Sequence, residues 1–287
     1  MTRLVRPCRS ALYLPASNPR AIEKARGLDC DAVILDLEDA VAPEAKAAAR
    51  DSAVAAFRAG GFGSRLTVLR VNGAETAWGA DDLAAAAGLP IDAVLVPKIC
   101  TAQEAAQARA ALAGPALWVM IETCRSLAQL QPIADAVGEG GALVVGTNDL
   151  ALEMRCAGRA PLAPVLALVV AAARAAGRIA LDGVRNDFTD LAAFAEEAAD
   201  GAARGFDGKT LIHPAQIDAC NRAFTPEADA IAAARAIVAA FALPENRGKG
   251  AIRLDGRMIE RLHLAEAERT LALAAAADRR YHPPNTD

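Results

Sequence analysis

The sequence is poor in aromatic residues and in histidine. Aromatic side chains make up 4% of a chain that is 54% hydrophobic, so its core has to be built from aliphatic side chains. The three histidines are far apart and the six cysteines form no Cys-x-x-Cys pair, which argues against a zinc site. We expect all six cysteines to be reduced thiols, as in a cytoplasmic protein.

The sequence also lacks an excess of positive charge and a long uncharged apolar run. Its net charge is -4, and this balance does not indicate a surface for nucleic acid or for an anionic membrane. Residues 1–7 contain no apolar stretch of signal-peptide length, and no segment is long and apolar enough to span a bilayer. We predict a cytoplasmic protein that acts on small molecules, with no nucleic-acid or membrane partner.

Eight short runs rich in Val, Ile, Leu and Ala recur along the first three-quarters of the chain. They cover residues 11–14, 32–37, 66–71, 93–96, 117–121, 142–145, 179–184 and 209–212. None alternates between apolar and polar residues, which is typical of strands covered on both faces. Helix-start signals follow several of them, including a capping box from Thr101 to Glu104. This pattern predicts an α/β protein with a (β/α)8 TIM barrel, because a doubly wound sheet more often has about five to seven strands.

The spacing of these signals changes after Cys220. Residues 225–227 begin a helix that runs toward Phe241, and a loop containing Gly and Pro follows at residues 244–250. A second helix, rich in Ala and Leu, fades by Tyr281. We therefore predict a catalytic barrel over residues 1–224 and a C-terminal helical extension over residues 225–287, whose tail could cover a neighbouring subunit's site.

Polar side chains follow seven of the predicted strands, at the ends where TIM-barrel active sites lie. In chain order they are Asp36, Glu38, Asp39, Arg70, Asn72, Lys98, Glu122, Asn148, Asp149, Asp182 and His213. A single carboxylate at a strand end is more often a helix cap or a surface ion pair than a catalytic group. Seven strands that carry polar groups to one rim favour an active site.

Alternate residues of a strand share a face, so Asp36, Arg70 and Glu122 can all point into the barrel mouth. Arg70 is then a candidate partner for Asp36 or Glu38. Glu122 and Asp149 have no such partner, and a pair of oxygen ligands favours Mg²⁺, or Mn²⁺, over Zn²⁺. The alternative is that these two carboxylates bind a lysine or backbone amides.

Eight motifs in the same order along the chain resemble the citrate lyase β-subunit-like enzymes of the HpcH/HpaI aldolase superfamily, which include malyl-CoA and citramalyl-CoA lyases. The motifs lie at residues 9–18, 35–41, 69–72, 96–98, 121–123, 146–151, 182–184 and 208–214, with a further match at 256–259. The resemblance implies a Mg²⁺-dependent lyase, often a homotrimer. Such an enzyme cleaves or forms a 3-hydroxyacyl-CoA, such as a malyl, citramalyl or citryl thioester, giving an acyl thioester and a small keto acid.

The resemblance also implies roles for individual residues. Glu122 and Asp149 would hold the metal, and Glu122 would also contact the substrate. Arg70 would bind the substrate and stabilise the thioester enolate, which suits a permanent cation with donors in a fixed geometry. Asp36 would orient Arg70, with Glu38 behind it.

Further assignments concern the two ends of the substrate. Gly146, Thr147 and Asn148 would line the pocket for the keto-acid fragment. Arg9 and Lys24 resemble positions that approach the phosphates of coenzyme A, which enters as part of the substrate.

The tail motif departs from the family pattern. Glu260 stands where Asp is usual, and in relatives this carboxylate can act in a neighbouring subunit's site as an acid or base or in thioester hydrolysis. Glu260 keeps the charge but places it about one bond further out, and a misplacement of about 1 Å can cost roughly 10²-fold in rate. We therefore expect the lyase core to be intact and thioester hydrolysis to be disfavoured.

Three alternatives stay open at this point. The protein could be a class II aldolase that acts on hydroxy acids derived from pyruvate or oxaloacetate without coenzyme A. It could be a class I aldolase in which Lys98 forms a Schiff base, although Lys98 is better explained as an ion-pair partner of the nearby carboxylates. It could be a non-catalytic scaffold, which would gain nothing from so unfavourable a cluster of carboxylates.

Overall fold

The computed structural model describes the backbone of residues 7–281 and the side chains of residues 7–278. All eight predicted strands are present, and they pair in parallel and in sequence order to close a barrel. The strands are β1 (Ser10–Pro15), β2 (Ala32–Asp36), β3 (Leu66–Arg70), β4 (Ala93–Val96), β5 (Ala116–Ile121), β6 (Ala142–Val145), β7 (Ile179–Asp182) and β8 (Gly208–Leu211). The TIM-barrel prediction is confirmed.

Side chains of these strands alternate between two separate cores. One cluster fills the inside of the barrel, and it includes Ala11, Ile34, Val68, Leu95, Trp118, Met120, Val144 and Leu181. The residues between them, such as Leu12, Val33, Leu35, Leu69 and Val119, pack outward in the larger core shared with the helices. Both faces of every strand are thus covered, which explains why the sequence shows continuous apolar runs.

Helices follow the strands around the barrel. They are α1 (Pro19–Ala25), α2 (Lys46–Ala59), α3 (Gly79–Ala87), α4 (Ala102–Ala111), α5 (Cys124–Ala128), α6 (Leu130–Val137), α7 (Thr147–Glu153), α8 (Ala163–Ala176), α9 (Leu191–Ala203) and α10 (Ile217–Ala223). The predicted capping box forms at α4, where the Thr101 hydroxyl accepts from the Glu104 N–H and Glu104 accepts from the Thr101 N–H. No helix within residues 7–281 is long and apolar enough to cross a membrane.

The described chain divides into two compact units, one spanning Cys8–Phe224 and one that begins at Thr225. The second unit contains α11 (Ala228–Ala242), an antiparallel hairpin of β9 (Ala251–Leu254) and β10 (Arg257–Glu260), and α12 (Arg261–Tyr281). The sequence analysis predicted the helices but not the hairpin. Its turn is formed by Asp255 and Gly256, both with positive φ (48° and 78°), and an Asp-Gly pair between two short runs is a known hairpin signal.

Candidate active site

Most of the predicted site residues of the barrel meet in one pocket of about 290 Å³. Its lining includes Asp36, Asp39, Arg70, Glu122, Gly146, Thr147, Asn148 and Asp149. These residues stand at or just beyond the carboxyl ends of β2, β3, β5 and β6, where active sites of this fold occur. Residues from β1, β7 and β8 complete the wall.

Arg70 is held rigidly at the base of this pocket. Parallel register places Asp36 opposite Arg70 on the neighbouring strand, and the Asp36 carboxylate accepts two hydrogen bonds, from Arg70 Nε and Nη2, each at 2.6 Å. The guanidinium lies 4.8 Å from the centre of the Tyr13 ring, a cation–π contact. Asp36 in turn accepts from the backbone N–H groups of Glu38 and Ala40, so Arg70 is oriented by a carboxylate that is itself fixed.

The third nitrogen of Arg70 faces two further carboxylates. Arg70 Nη1 lies 2.8 Å from Glu38 Oε2 and 3.3 Å from Asp39 Oδ2. Burial, with Asp39 and Asp36 nearby, raises the pKa of Glu38 to about 7 even though Arg70 opposes the shift. A carboxyl group with a pKa near neutrality is suited to give or take a proton.

Glu122 follows β5 and points into the same pocket. Its Oε1 accepts a 2.7 Å hydrogen bond from the Lys98 N–H, and no ion pair to Glu122 exists among the described side chains. Burial, followed by the charge of Glu38, raises the pKa of Glu122 to about 8, and the Lys98 N–H and the charge of Arg70 oppose this shift only in part. Asp149, in the first turn of α7, also repels it.

The strand-six loop approaches Glu122 very closely, and only glycine leaves room for it. A Cβ added at Gly146 would stand 2.5 Å from the Glu122 Cβ and 2.6 Å from its Oε2. Gly146 therefore forms a cradle for this carboxylate. Beyond it, the Thr147 hydroxyl donates to the Val184 carbonyl at 3.3 Å, and Asn148 exchanges two hydrogen bonds with the Asn186 side chain.

Glu122 and Asp149 fit a hard divalent cation. Glu122 uses one oxygen for a backbone N–H and forms no ion pair with a described side chain, and Asp149 makes no hydrogen bond or ion pair within residues 7–278. The described residues contain no group of three or more His, Cys, Asp and Glu suited to a metal. Two carboxylates are nevertheless what Mg²⁺ typically takes from a protein, with water and substrate oxygens completing its shell.

The structure does not bring every predicted residue to this pocket. Arg9 precedes β1, at the opposite end of the barrel, where its Nε donates to Asp31 at 2.9 Å. Arg9 therefore does not line this pocket, and its contact with coenzyme A stays a prediction. Lys24 is exposed in the last turn of α1 and does not line the pocket, and Glu260 ends β10 in the second unit.

Two polar groups expected at the rim are used elsewhere. Asp182 ends β7 but is fully buried outside the pocket, where it accepts from Arg159 and from Lys209 Nζ at 3.0 Å. Asn72 lies beyond the end of β3, and its side chain bonds Asp82 and the Leu37 carbonyl. Both side chains form hydrogen bonds outside the pocket and stabilise the strand ends that form its wall.

Sequence reasoning missed three residues that shape the site. Tyr13 lines the pocket from β1, and its buried hydroxyl has no hydrogen-bond partner among the described residues. Met120 places its sulfur 3.7 Å from Arg70 Nη1. Lys46 donates from Nζ to the carbonyls of Leu37 and Glu38, fixing the loop after β2. Period-two alternation could have identified Tyr13 and Met120, whereas Lys46 reaches the loop only through the packing of α2.

The mouth of this TIM barrel thus presents a fixed arginine together with two carboxylates, an arrangement suited to stabilising an oxyanion beside a divalent cation. The model of the HpcH/HpaI aldolase/citrate lyase family matches residues 9–214. The chain belongs to this family, and the resemblance inferred from its motifs is confirmed.

Two groups of similar proteins are known from Cereibacter sphaeroides. A (3S)-malyl-CoA thioesterase is 42% identical over 96% of this chain and 98% of its own length. An L-malyl-CoA/beta-methylmalyl-CoA lyase is 32% identical over 92% of this chain and 93% of its own length.

Among solved structures, the protein CitE from Mycobacterium tuberculosis in complex with magnesium, acetoacetate and coenzyme A superimposes with a TM-score of 0.76. It is 32% identical, and the match covers 94% of this chain and 98% of that one. A citrate lyase beta subunit from M. tuberculosis complexed with oxaloacetate and magnesium is 34% identical, with a TM-score of 0.67 over 77% of this chain and 98% of the other.

Proposed function

We propose that this protein acts on the coenzyme A thioester of a short 3-hydroxy acid that carries a second carboxylate, malyl-CoA being the simplest example. The reaction is cleavage, or the reverse formation, of the carbon–carbon bond between the thioester fragment and a small keto acid. The observation that carries this proposal is the fixed Arg70–Asp36 pair in one pocket with the uncompensated carboxylates of Glu122 and Asp149.

The substrate undergoes a retro-aldol-type cleavage. The hydroxyl loses its proton and becomes the carbonyl of the keto acid, and the carbon–carbon bond breaks. The electron pair moves into the thioester as an enolate, and its carbon then takes up a proton. Malyl-CoA would give glyoxylate and acetyl-CoA, with no change in oxidation state and no added water.

Arg70 is the group suited to the developing negative charge. It lines the pocket, it is permanently protonated, and burial does not remove its charge because Asp36 and Glu38 raise its pKa. Donors that are fixed before the reaction stabilise an enolate without having to reorganise. The Asp36 pair supplies that preorganisation.

Glu122 and Asp149 would hold a magnesium ion, which when bound polarises the hydroxyl and carboxylate oxygens of the substrate and makes the hydroxyl more acidic. Glu38 is the candidate to hold the proton that passes between hydroxyl and enolate carbon, because it contacts Arg70 and its pKa is raised toward 7. Gly146, Thr147 and Asn148 would enclose the keto-acid fragment. Lys24 stays a candidate contact of coenzyme A.

Thioester hydrolysis is the second candidate, and the relatives named malyl-CoA thioesterases favour it. They are 41–42% identical to this chain, more similar than the relatives named as lyases. Hydrolysis breaks the carbon–sulfur bond instead, with water supplying the new oxygen, and yields malate and free coenzyme A. Our expectation that Glu260 disfavours this reaction therefore needs direct measurement.

One incubation distinguishes these reactions. Purified protein is mixed with malyl-CoA and Mg²⁺, and two products are followed in parallel: the phenylhydrazone of released glyoxylate and the free thiol of coenzyme A. Glyoxylate without thiol supports the lyase, and thiol without glyoxylate supports the thioesterase. Equal amounts of both with no acetyl-CoA remaining indicate cleavage followed by hydrolysis of acetyl-CoA.

Controls address the remaining alternatives. Citramalyl-CoA and citryl-CoA extend the screen to larger thioesters, and free citramalate tests an aldolase that needs no coenzyme A. Borohydride added with substrate would trap a Schiff base at Lys98 if the class I alternative held. Citramalyl-CoA would release pyruvate and citryl-CoA oxaloacetate, so the absence of a released keto acid and of free thiol with every thioester would refute the proposal.

The role of the second unit can be tested with the same assay. We propose a homotrimer in which Glu260 reaches a neighbouring subunit's site as an acid or base, as the family resemblance implies. Light scattering measures the oligomer. A mixture of Glu260→Gln and Arg70→Lys chains, each defective alone, should recover activity if the two residues act across subunits.

A further inference from the structure

Lys98 occupies an unusual backbone conformation at the edge of the site. It follows β4 and has φ of 55°, in the left-handed region that residues with a side chain seldom adopt. This conformation aims its N–H at Glu122 Oε1, 2.7 Å away, while its carbonyl accepts from the Cys100 thiol at 3.4 Å. Hydrogen bonds therefore hold both the N–H and the carbonyl of Lys98. The backbone held in this way fixes the direction in which the Lys98 side chain leaves the loop.

The Lys98 side chain extends into a surplus of negative charge. Its Nζ lies 3.6 Å from Glu38 Oε1, and Glu122, Asp149 and Asp39 add further attraction to its charge. The other cation at the site is Arg70, whose Nε and Nη2 are already taken by Asp36. Of the described cations at this site, Lys98 is thus the one that is not paired with Asp36 and can partly neutralise Glu122 and Asp149.

Lys98 is also the more exposed of the two cations. Its side chain is 44% exposed, whereas Arg70 is 9% exposed. The 3.6 Å contact is an ion pair without a hydrogen bond to Nζ within residues 7–278. A long side chain with one weak contact can leave Glu38 at small cost, because an exposed ion pair is worth little.

We propose that the Lys98 ammonium is an internal counter-ion of the metal-free site and lowers the site's affinity for divalent cations. It compensates the carboxylates when no cation is bound and withdraws from Glu38 toward solvent when one binds. This inference rests on the proposed metal site at Glu122 and Asp149. Its function would be to weaken metal binding enough to keep it readily reversible.

The test is a calorimetric titration of metal-free protein with MgCl2. Lys98→Met removes the charge but keeps the length of the side chain and the left-handed strain, so the N–H bond to Glu122 should survive. We expect Kd for Mg²⁺ to fall by about three- to tenfold, as expected for a unit charge near a divalent ion at a partly exposed site. Lys98→Arg retains the charge and should bind Mg²⁺ like the wild type.

Arg58→Met is the matched control, because it removes one exposed positive charge from the last turn of α2, far along the helix from the pocket. Its Kd should not change. Thermal unfolding gives a second readout: added MgCl2 should raise the melting temperature of Lys98→Met by more than that of the wild type.

The outcomes distinguish the role of Lys98 from the existence of the metal site. Unchanged or weaker binding of Mg²⁺ by Lys98→Met, with normal binding by the wild type, would overturn the role of Lys98 alone. A wild type that binds no Mg²⁺ would instead refute the proposed metal site. If Lys98→Met does not fold, Lys98→Gln, which also lacks the charge, replaces it in the same titration.

Discussion

Replacement of Gly146 by alanine tests whether the position of Glu122 determines both metal binding and activity. A Cβ at residue 146 would lie 2.5 Å from the Glu122 Cβ and 2.6 Å from its Oε2. Ordinary contacts begin near 3.4 Å, so the two groups have to separate by about 1 Å. Gly146 has φ of −93°, which alanine tolerates, and the substitution therefore acts through space alone.

The strand is less able to move than the carboxylate. Glu122 directly follows β5, and its carboxylate accepts a hydrogen bond from the Lys98 N–H. The new methyl group would also lie 3.3 Å from Met120 Cε. Overpacking of this kind typically costs about 1–3 kcal/mol. A shift of about 1 Å at a reacting centre can lower the rate by roughly 10²-fold.

We expect Gly146→Ala to lower kcat/KM for malyl-CoA by about 10²-fold and to weaken Mg²⁺ binding by about tenfold. Steady-state kinetics and calorimetry measure the two effects. Gly88→Ala is the matched control, because Gly88 has no atom within 4 Å of its added Cβ and a φ of −102°. Wild-type metal affinity and activity in Gly146→Ala would refute the idea that this glycine makes room for a functional carboxylate.

Three further predictions concern the arginine, the metal and the buried charges behind the wall. Arg70→Lys loses the two parallel bonds to Asp36 and should lower kcat/KM by about 10²- to 10³-fold, because a point charge cannot reproduce the fork of donors. It should also lower the unfolding free energy by about 1–3 kcal/mol, because the buried Asp36 loses hydrogen bonds; steady-state kinetics and urea unfolding check the two effects. Treatment with EDTA should abolish turnover, and MgCl2 should restore it whereas ZnCl2 should not; activity that survives exhaustive chelation would contradict the role of Glu122 and Asp149. Lys209→Met should lower the unfolding free energy by about 3–5 kcal/mol, because the fully buried Lys209 ammonium lies 3.0 Å from Asp182; a loss below about 1 kcal/mol in urea would show that the Arg159 contact compensates Asp182 alone.

The barrel was predictable because its signals are local. A strand covered on both faces has to be apolar throughout, and the eight apolar runs coincide with the eight strands to within two residues at each end. The turn of the C-terminal hairpin had an equally local signal at Asp255 and Gly256. It was missed because the flanking runs are short and carry charged residues, so that they did not suggest strands.

The candidate site was predictable only in part. The sequence identified which polar residues follow which strands, and alternation correctly placed Asp36, Arg70 and Glu122 on the inner face. It also suggested that Asn72 and Asp182 reach the rim, and the structure shows both turned away into networks with other partners. The last residue of a strand has neighbours on several sides, and periodicity says nothing about which of them it meets.

The sequence by itself determined the order of strands and helices, the aliphatic core and the set of polar groups at the barrel mouth, because each depends on residues adjacent along the chain. Only the tertiary structure decided which charge meets which. Arg70 pairs with Asp36, 34 residues away along the chain, and Asn72 accepts a hydrogen bond from Lys46, 26 residues away. Glu122 forms no ion pair with a described side chain. These pairings depend on parallel register and on the closure of the barrel, which bring distant residues to one rim through packing that no local pattern records.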